Sequence, residues 1–128
     1  MFTACIGVNV DYLATFNVRG TIVRDDDSTA LSGVKIVFVD TGFDSIRSHK
    51  GNQIQLCLSD DHGRVDHDFE YFWGYNKGLM IEKPSQSFDI FIQCDGFEDE
   101  KICYNAVDLQ RINGKIIVSL GEVRMKRK

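Results

Sequence analysis

The chain has 128 residues, 43% of them hydrophobic and 27% charged, with 19 acidic side chains against 15 basic ones and a net charge of −4. That length suits one domain able to bury roughly two thirds of its unfolded surface, and eleven glycines beside a single proline fit a globular chain better than a disordered one. The acidic balance argues against nucleic acid as a partner, because phosphate binding needs a concentrated positive footprint; no apolar run approaches the roughly 18–20 residues of a membrane-spanning helix, the longest being Ile36–Val39.

At the N-terminus, Met1 to Cys5 lack the basic region and long apolar core of a complete secretory signal. Phe2-Thr3-Ala4-Cys5 nevertheless resembles the end of a bacterial lipoprotein signal, where an apolar and two small residues precede the cysteine that is lipidated. Two readings follow. If the chain begins inside a longer precursor, Cys5 is the acylated first residue of the mature protein and residues 1–15 are signal remnant and tether; acyl chains contribute about 0.8 kcal/mol per buried methylene, enough for several chains to hold a domain on a membrane. If Met1 is the native start, Cys5 is an ordinary thiol and the protein is cytoplasmic.

Period-two alternation predicts seven strands within a domain spanning residues 16–128. The first, Phe16–Arg24, sets Phe16, Val18 and Ile22 inward, and Asp25–Ser28 follows as an acidic turn. The second, Val34–Asp40, is apolar on both faces and is predicted to be central. Thr41–Gly51 reads as a loop. The third and fourth strands, Gln53–Ser59 and Val65–Phe72, flank the turn Asp60–Arg64. Gly74–Gln86 is a second long loop. The fifth strand, Ser87–Asp95, alternates cleanly and the sixth runs from Phe97 toward Tyr104. Asn105–Gly114 holds at most one helical turn at Ala106–Arg111, and Lys115–Lys126 is the last strand, with a bulge at Gly121. The basic C-terminus, Arg124, Lys126, Arg127 and Lys128, reads as a solvated end or polar edge; without it the chain has 11 basic against 19 acidic residues, a net −8. A contact with anionic lipid is the other use of such a cluster. The fold class is therefore all-β, an antiparallel sandwich.

The order of turns resembles one family. Val18-Arg19-Gly20-Thr21-Ile22-Val23, Leu31-Ser32-Gly33-Val34-Lys35-Ile36, Ser59-Asp60-Asp61-His62-Gly63-Arg64-Val65 and Ser87-Phe88-Asp89-Ile90 with Gly96-Phe97 are similar, over about Phe16–Val123, to the carboxypeptidase regulatory-like or transthyretin-like domains. The resemblance implies a seven-stranded, Greek-key-type, prealbumin-like β-sandwich, usually a non-catalytic module that supports, orients or anchors other proteins at the cell surface.

Candidate chemistry is sparse. Asp60, Asp61, Asp66 and Asp68 with His62 and His67 form the densest polar cluster, read either as turn chemistry with a solvated strand face or as a calcium site, which needs six to eight oxygens. Cys57, Cys94 and Cys103 have no zinc spacing; Cys94 is expected to face the core, Cys57 to lie opposite Ile54, Leu56 and Leu58, and a Cys94–Cys103 disulfide requires adjacent strands. Phe69, Tyr71, Trp73 and Tyr75 recur at spacing two. Phe69 and Tyr71 are assigned to the core, and Trp73 and Tyr75, with Asn76 and Lys77 at the loop, to a partner-binding surface. The transthyretin-related hydroxyisourate hydrolases use histidines, an arginine and a terminal Tyr-Arg-Gly-Ser motif. This chain ends Met125-Lys126-Arg127-Lys128, and it has no GxSxG elbow or HExxH pair. The expectation is a non-catalytic binding or scaffold module of the bacterial cell envelope, with no assigned catalytic residue, metal or cofactor. Loops 41–52 and 74–86 are expected to face a protein or carbohydrate partner at the cell surface, with the membrane reached only through Cys5. A small hydrolase of the same fold and a self-associating structural module are the alternatives.

Overall fold

Two four-stranded sheets form because the longer strands place apolar side chains on the faces that meet between them. The computed structural model describes residues 10–41, 53–76 and 86–128, and the side chains of 13–41, 53–73 and 86–128. The first sheet has the order β4 (Arg64–Asn76), β1 (Val10–Arg24), β8 (Lys115–Met125), β7 (Arg111–Ile112); the second has β3 (Gln53–Leu58), β2 (Lys35–Asp40), β5 (Ser87–Gln93), β6 (Glu100–Asn105). Phe16, Val18 and Ile22 of β1 and Ile116 and Val118 of β8 face Ile36 and Phe38 of β2 and Phe88, Ile90 and Ile92 of β5, all fully buried. Each such side chain contributes about 1.5–3 kcal/mol by leaving water. β2 is central, between β3 and β5, as its two apolar faces demand.

Several expectations need correction. The sandwich is not wholly antiparallel, for β1 and β8 pair in parallel from Phe16↔Ile116 to Arg24↔Met125. The cause is the route of the chain: β6 ends at the pole where β1 begins, a 3₁₀ turn at Ala106–Asp108 carries the chain over, and β8 then descends beside β1 in the same direction. The described residues hold eight strands rather than seven. Asn113 (φ 53°) and Gly114 (φ 80°) turn the short β7 back onto β8, and Asn-Gly between strands is the signal that marks such a hairpin. β1 also starts at Val10 rather than Phe16, because β4 continues to Asn76 and supplies partners for residues 10–15, with a bulge between Asp11 and Leu13. Those residues belong to the sheet and not to a tether.

On β3 a register shift opposite Ile36 and Val37 reverses the alternation. Cys57 therefore packs against the core, where burial pushes its thiol pKa up, while Leu58 is 52% exposed. The bulge anticipated at Gly121 is present, at φ 66° beside the β1–β8 register shift.

The pole where β1 ends is closed by short turns. Ser59 accepts from the Val34 amide at 3.0 Å and donates to the Leu31 carbonyl at 2.7 Å. Asp60 accepts from the Arg64 and His62 amides at 2.8 and 2.9 Å, and these bonds hold its carboxyl pKa below the ordinary value. A lowered carboxyl pKa stabilises the fold above the unfolded value, and the contribution is lost as pH falls through the folded one. In thermal melts, Asp60→Ala is thus expected to be destabilised at neutral pH and to converge on the wild type as the pH is taken below about 4; a gap independent of pH would contradict the capping role.

The basic C-terminus is solvent-exposed, and its backbone is stitched to the second sheet. Phe97 and Arg127 form a bridge, the Glu98 amide donates to the Lys126 carbonyl at 2.8 Å, and the Lys128 amide to the Gly96 carbonyl at 3.1 Å. Arg124 pairs with Glu122 and Asp25 at 2.7 and 3.2 Å, and Arg127 with Asp26 at 3.4 Å while lying over the Phe97 ring. These exposed ion pairs add little stability by themselves. The backbone bonds are what tie the last residues of the first sheet to the β5–β6 turn of the second.

Candidate functional site

At the opposite pole the ends of six described strands meet. β2 ends at Asp40 beside Phe88, β3 begins at Gln53 beside Val39, β4 ends at Asn76 beside Val10, and Ser87 opposes Asn105. The connections 42–52 and 77–85, which lie outside the described residues, thus leave and re-enter at the same pole. Thr41 ties the two sides of this rim, its amide donating to the Ser87 carbonyl at 3.2 Å and its hydroxyl to Ser87 Oγ at 3.4 Å. Asn105 caps the 3₁₀ turn by accepting from the Val107 amide, and the Ala106 amide donates to the Gln86 carbonyl at 3.0 Å.

Beneath the rim lies a buried carboxyl group. Asp40 is 1% exposed, and the Tyr71 hydroxyl, reaching across from the other sheet, donates to its Oδ2 at 2.6 Å. A buried carboxyl without such a partner costs several kcal/mol, so this bond fixes the two sheets relative to each other where the long connections arise. Tyr71 in turn stands 4.6 Å from the Phe38 ring centroid and 4.8 Å from that of Trp73, and Phe38 stacks on Phe88 at 5.0 Å. The pole is a rigid aromatic seat with a polar rim. Asp40 is a residue that sequence reasoning passed over, although its position is readable: it continues the inward series Ile36, Phe38 at the end of an apolar strand.

The assignment of Trp73 to a binding surface is corrected, since Trp73 is fully buried. β4 extends beyond Phe72, so the inward alternation of Val65, Phe69 and Tyr71 carries through Trp73 into the core. Tyr75 and Asn76 lie in the last residues of β4, opposite Asp11 and Val10, at the pole itself. Lys77 and the lipidation candidate Cys5 lie outside the described residues.

The Asp/His cluster is dispersed. Asp66 and Asp68 face outward and share the Nδ2 of Asn17 at 2.8 and 2.7 Å, while His67 stands near the inward Phe69 ring and His62 sits in the turn. Hydrogen bonds from Lys115 and Asn17 hold the Asp68 pKa below the ordinary value. Among the described residues, no three His, Cys, Asp or Glu side chains converge as metal ligands would. Cys57, Cys94 and Cys103 are free thiols. β5 and β6 are neighbours, but Cys103 opposes Asp89, on the face away from the core against which Cys94 packs, so these two are not placed to bond. The hydrogen bond with Asp89 pushes the Cys103 pKa up.

No family model matches the chain, and no curated protein matches it. Among solved structures it is similar to a chlorocatechol 1,2-dioxygenase from Pseudomonas putida, with a TM-score of 0.55 and 14% identity over 90% of this chain and 61% of that one. It is also matched to a 9R-lipoxygenase from Cyanothece PCC8801, with a TM-score of 0.39 and 12% identity over 86% of this chain and 16% of that one. The chain spans about 61% of the dioxygenase's length, and at this identity the likeness is one of fold.

Proposed function

We propose that this chain is a non-catalytic binding or scaffold module of the bacterial cell envelope, a prealbumin-like sandwich of the carboxypeptidase regulatory-like kind. Its protein or carbohydrate partner meets the pole from which 42–52 and 77–85 leave. The observation that supports this reading is the asymmetry of the poles. One is closed by short turns held by backbone hydrogen bonds, while the other joins both long connections to an aromatic cluster. Recognition elements are commonly long loops on a stiff scaffold. β1 begins at that same pole, so a lipid anchor at Cys5 would hold it within about 17 Å of the bilayer, the reach of five extended residues.

The test uses the chain immobilised against solubilised envelope extract, beside a variant with 77–85 replaced by a Gly-Ser connection and an opposite-pole control, Asp61→Lys. The expected result is one protein or glycan retained by the wild type and the control but lost with the loop variant. Equal retention by all three would overturn the assignment of the pole. Self-association has one observation in its favour: the edge strand β3 carries no charge, whereas the β4 and β6 edges do. Sedimentation of the same preparations reports it, and a monomer removes it.

A further inference from the structure

We propose that the outer face of the first sheet carries a site for a phosphoryl group, held between Arg19 and Arg64. The register builds it. Arg19 lies between Asp66 of β4 and Ser119 of β8, and Thr21 lies next to Arg64, so two guanidinium groups and two hydroxyls border one patch. A concavity of about 540 Å³ opens there, lined by these four residues and Asp66. Gly20 and Gly121 face each other across its floor, at the register shift between β1 and β8. Gly20 cannot be replaced without disturbing the backbone, since a Cβ would come within 2.6 Å of Leu120 Cβ and 2.8 Å of the Gly121 carbonyl oxygen.

Charge bears on both arginines, which, like Arg111, make no ion pair among the described residues, in a chain with an excess of acid. Arg24, Arg124, Arg127 and Lys115 are each satisfied by a carboxylate within 3.6 Å. Arg19 is also pre-oriented, its Nε donating at 2.6 Å to the Oδ1 of Asn17, a side chain only 5% exposed. The same amide occupies Asp66 Oδ1 through its Nδ2, which lessens the repulsion that Asp66 would offer an anion. A guanidinium already held by a buried amide loses little freedom when it binds. Two guanidinium forks and two hydroxyls supply more donors than the two oxygens of a carboxylate can use, and they suit the three terminal oxygens of a phosphoryl group. The remaining charge of Asp66 keeps the affinity modest.

The test is a titration of ¹⁵N-labelled protein with inorganic phosphate at ionic strength held constant with sodium chloride, in parallel with phenyl phosphate and with acetate. The expected result is saturable shifts confined to the amides of residues 19–21, 64–66 and 119–121, with a Kd on the order of 1 mM for both phosphate compounds. Acetate is expected to bind more weakly, and Arg19→Gln and Arg64→Gln each to weaken phosphate by about fivefold or more with the remaining spectrum unchanged. Shifts that rise linearly, that persist undiminished in Arg64→Gln, or that acetate reproduces at equal concentration would overturn the proposal. Phenyl phosphate binding no tighter than acetate, with phosphate saturating, would overturn it for phosphate esters.

Discussion

Replacing Gly63 by valine is expected to cost about 3 kcal/mol or more of stability, lowering the melting temperature by about 10 °C or more. Gly63 sits at φ 71°, a conformation that costs an L-residue roughly 1–2 kcal/mol and a β-branched one more. Space is the larger obstacle. A Cβ at this position would come within 2.4 Å of the Ile22 carbonyl oxygen, 3.2 Å of Ala30 Cβ and 3.3 Å of the Leu31 amide. Those groups cannot retreat cheaply, since the Ile22 amide donates to the Gly63 carbonyl at 2.7 Å and the Leu31 amide to the Ile22 carbonyl at 3.0 Å. Relief of the clash would pull the Asp60–Arg64 turn off β1. Gly33 offers the contrast: at φ 75° with nothing within 4 Å of its absent Cβ, Gly33→Ala bears the conformational cost alone, about 1 kcal/mol. Urea unfolding of both variants measures the difference, and equal midpoints would show that the Gly63 turn is not docked on Ile22 and Leu31.

Phe38→Ala is expected to cost about 3–5 kcal/mol, the other large effect. Phe38 is fully buried and its ring meets five others, with centroids at 4.6 Å to Tyr71, 5.0 Å to Phe88, 5.6 Å to Phe69, 6.1 Å to Trp73 and 6.3 Å to Phe16. Truncation leaves a hole that rings from both sheets cannot all close at once, because each is fixed by its own strand. Phe38→Leu, which keeps most of the volume, is expected to cost about 1.5 kcal/mol or less. The cavity would also free Tyr71 from its position over Asp40, so the near-ultraviolet circular dichroism of the aromatic cluster should weaken in Phe38→Ala before unfolding begins. A variant with wild-type stability would mean that the Phe38 ring is not at the centre of the packing.

What could be read from the sequence was what local spacing encodes. Phe88, Ile90 and Ile92 alternate because β5 is inside on one face, and Val37 beside Ile36 and Phe38 marks a strand with neighbours on both sides. The Asp60–Arg64 turn declared itself through a carboxylate that bonds amides two and four residues on. Features created by distant pairing were not legible. Trp73 looked like the start of a surface because nothing nearby says that β1 reaches back to Val10 and prolongs β4. The extra residue in β3 exchanges the roles of Cys57 and Leu58 without altering composition. The partners of the exposed basic C-terminus were not legible, since Asp25 and Asp26 lie about a hundred residues earlier. At the loop pole, Asp40 looked like the polar end of a strand until the opposite sheet brought Tyr71 to it.

The parallel contact between β1 and β8 also sets a timetable for synthesis. Phe16 lies against Ile116, so during translation β1 waits for about a hundred further residues with one flank uncovered. The β3–β2–β5–β6 layer pairs β2–β3 and β5–β6 as sequence neighbours and β2–β5 across β3 and β4, and all of its strands precede residue 106. The β4–β1–β8 layer closes only after residues 115–125 have emerged, a late step dominated by the entropy of joining remote segments. Until then the exposed flank of β1 is the part of the newborn protein most in need of a chaperone.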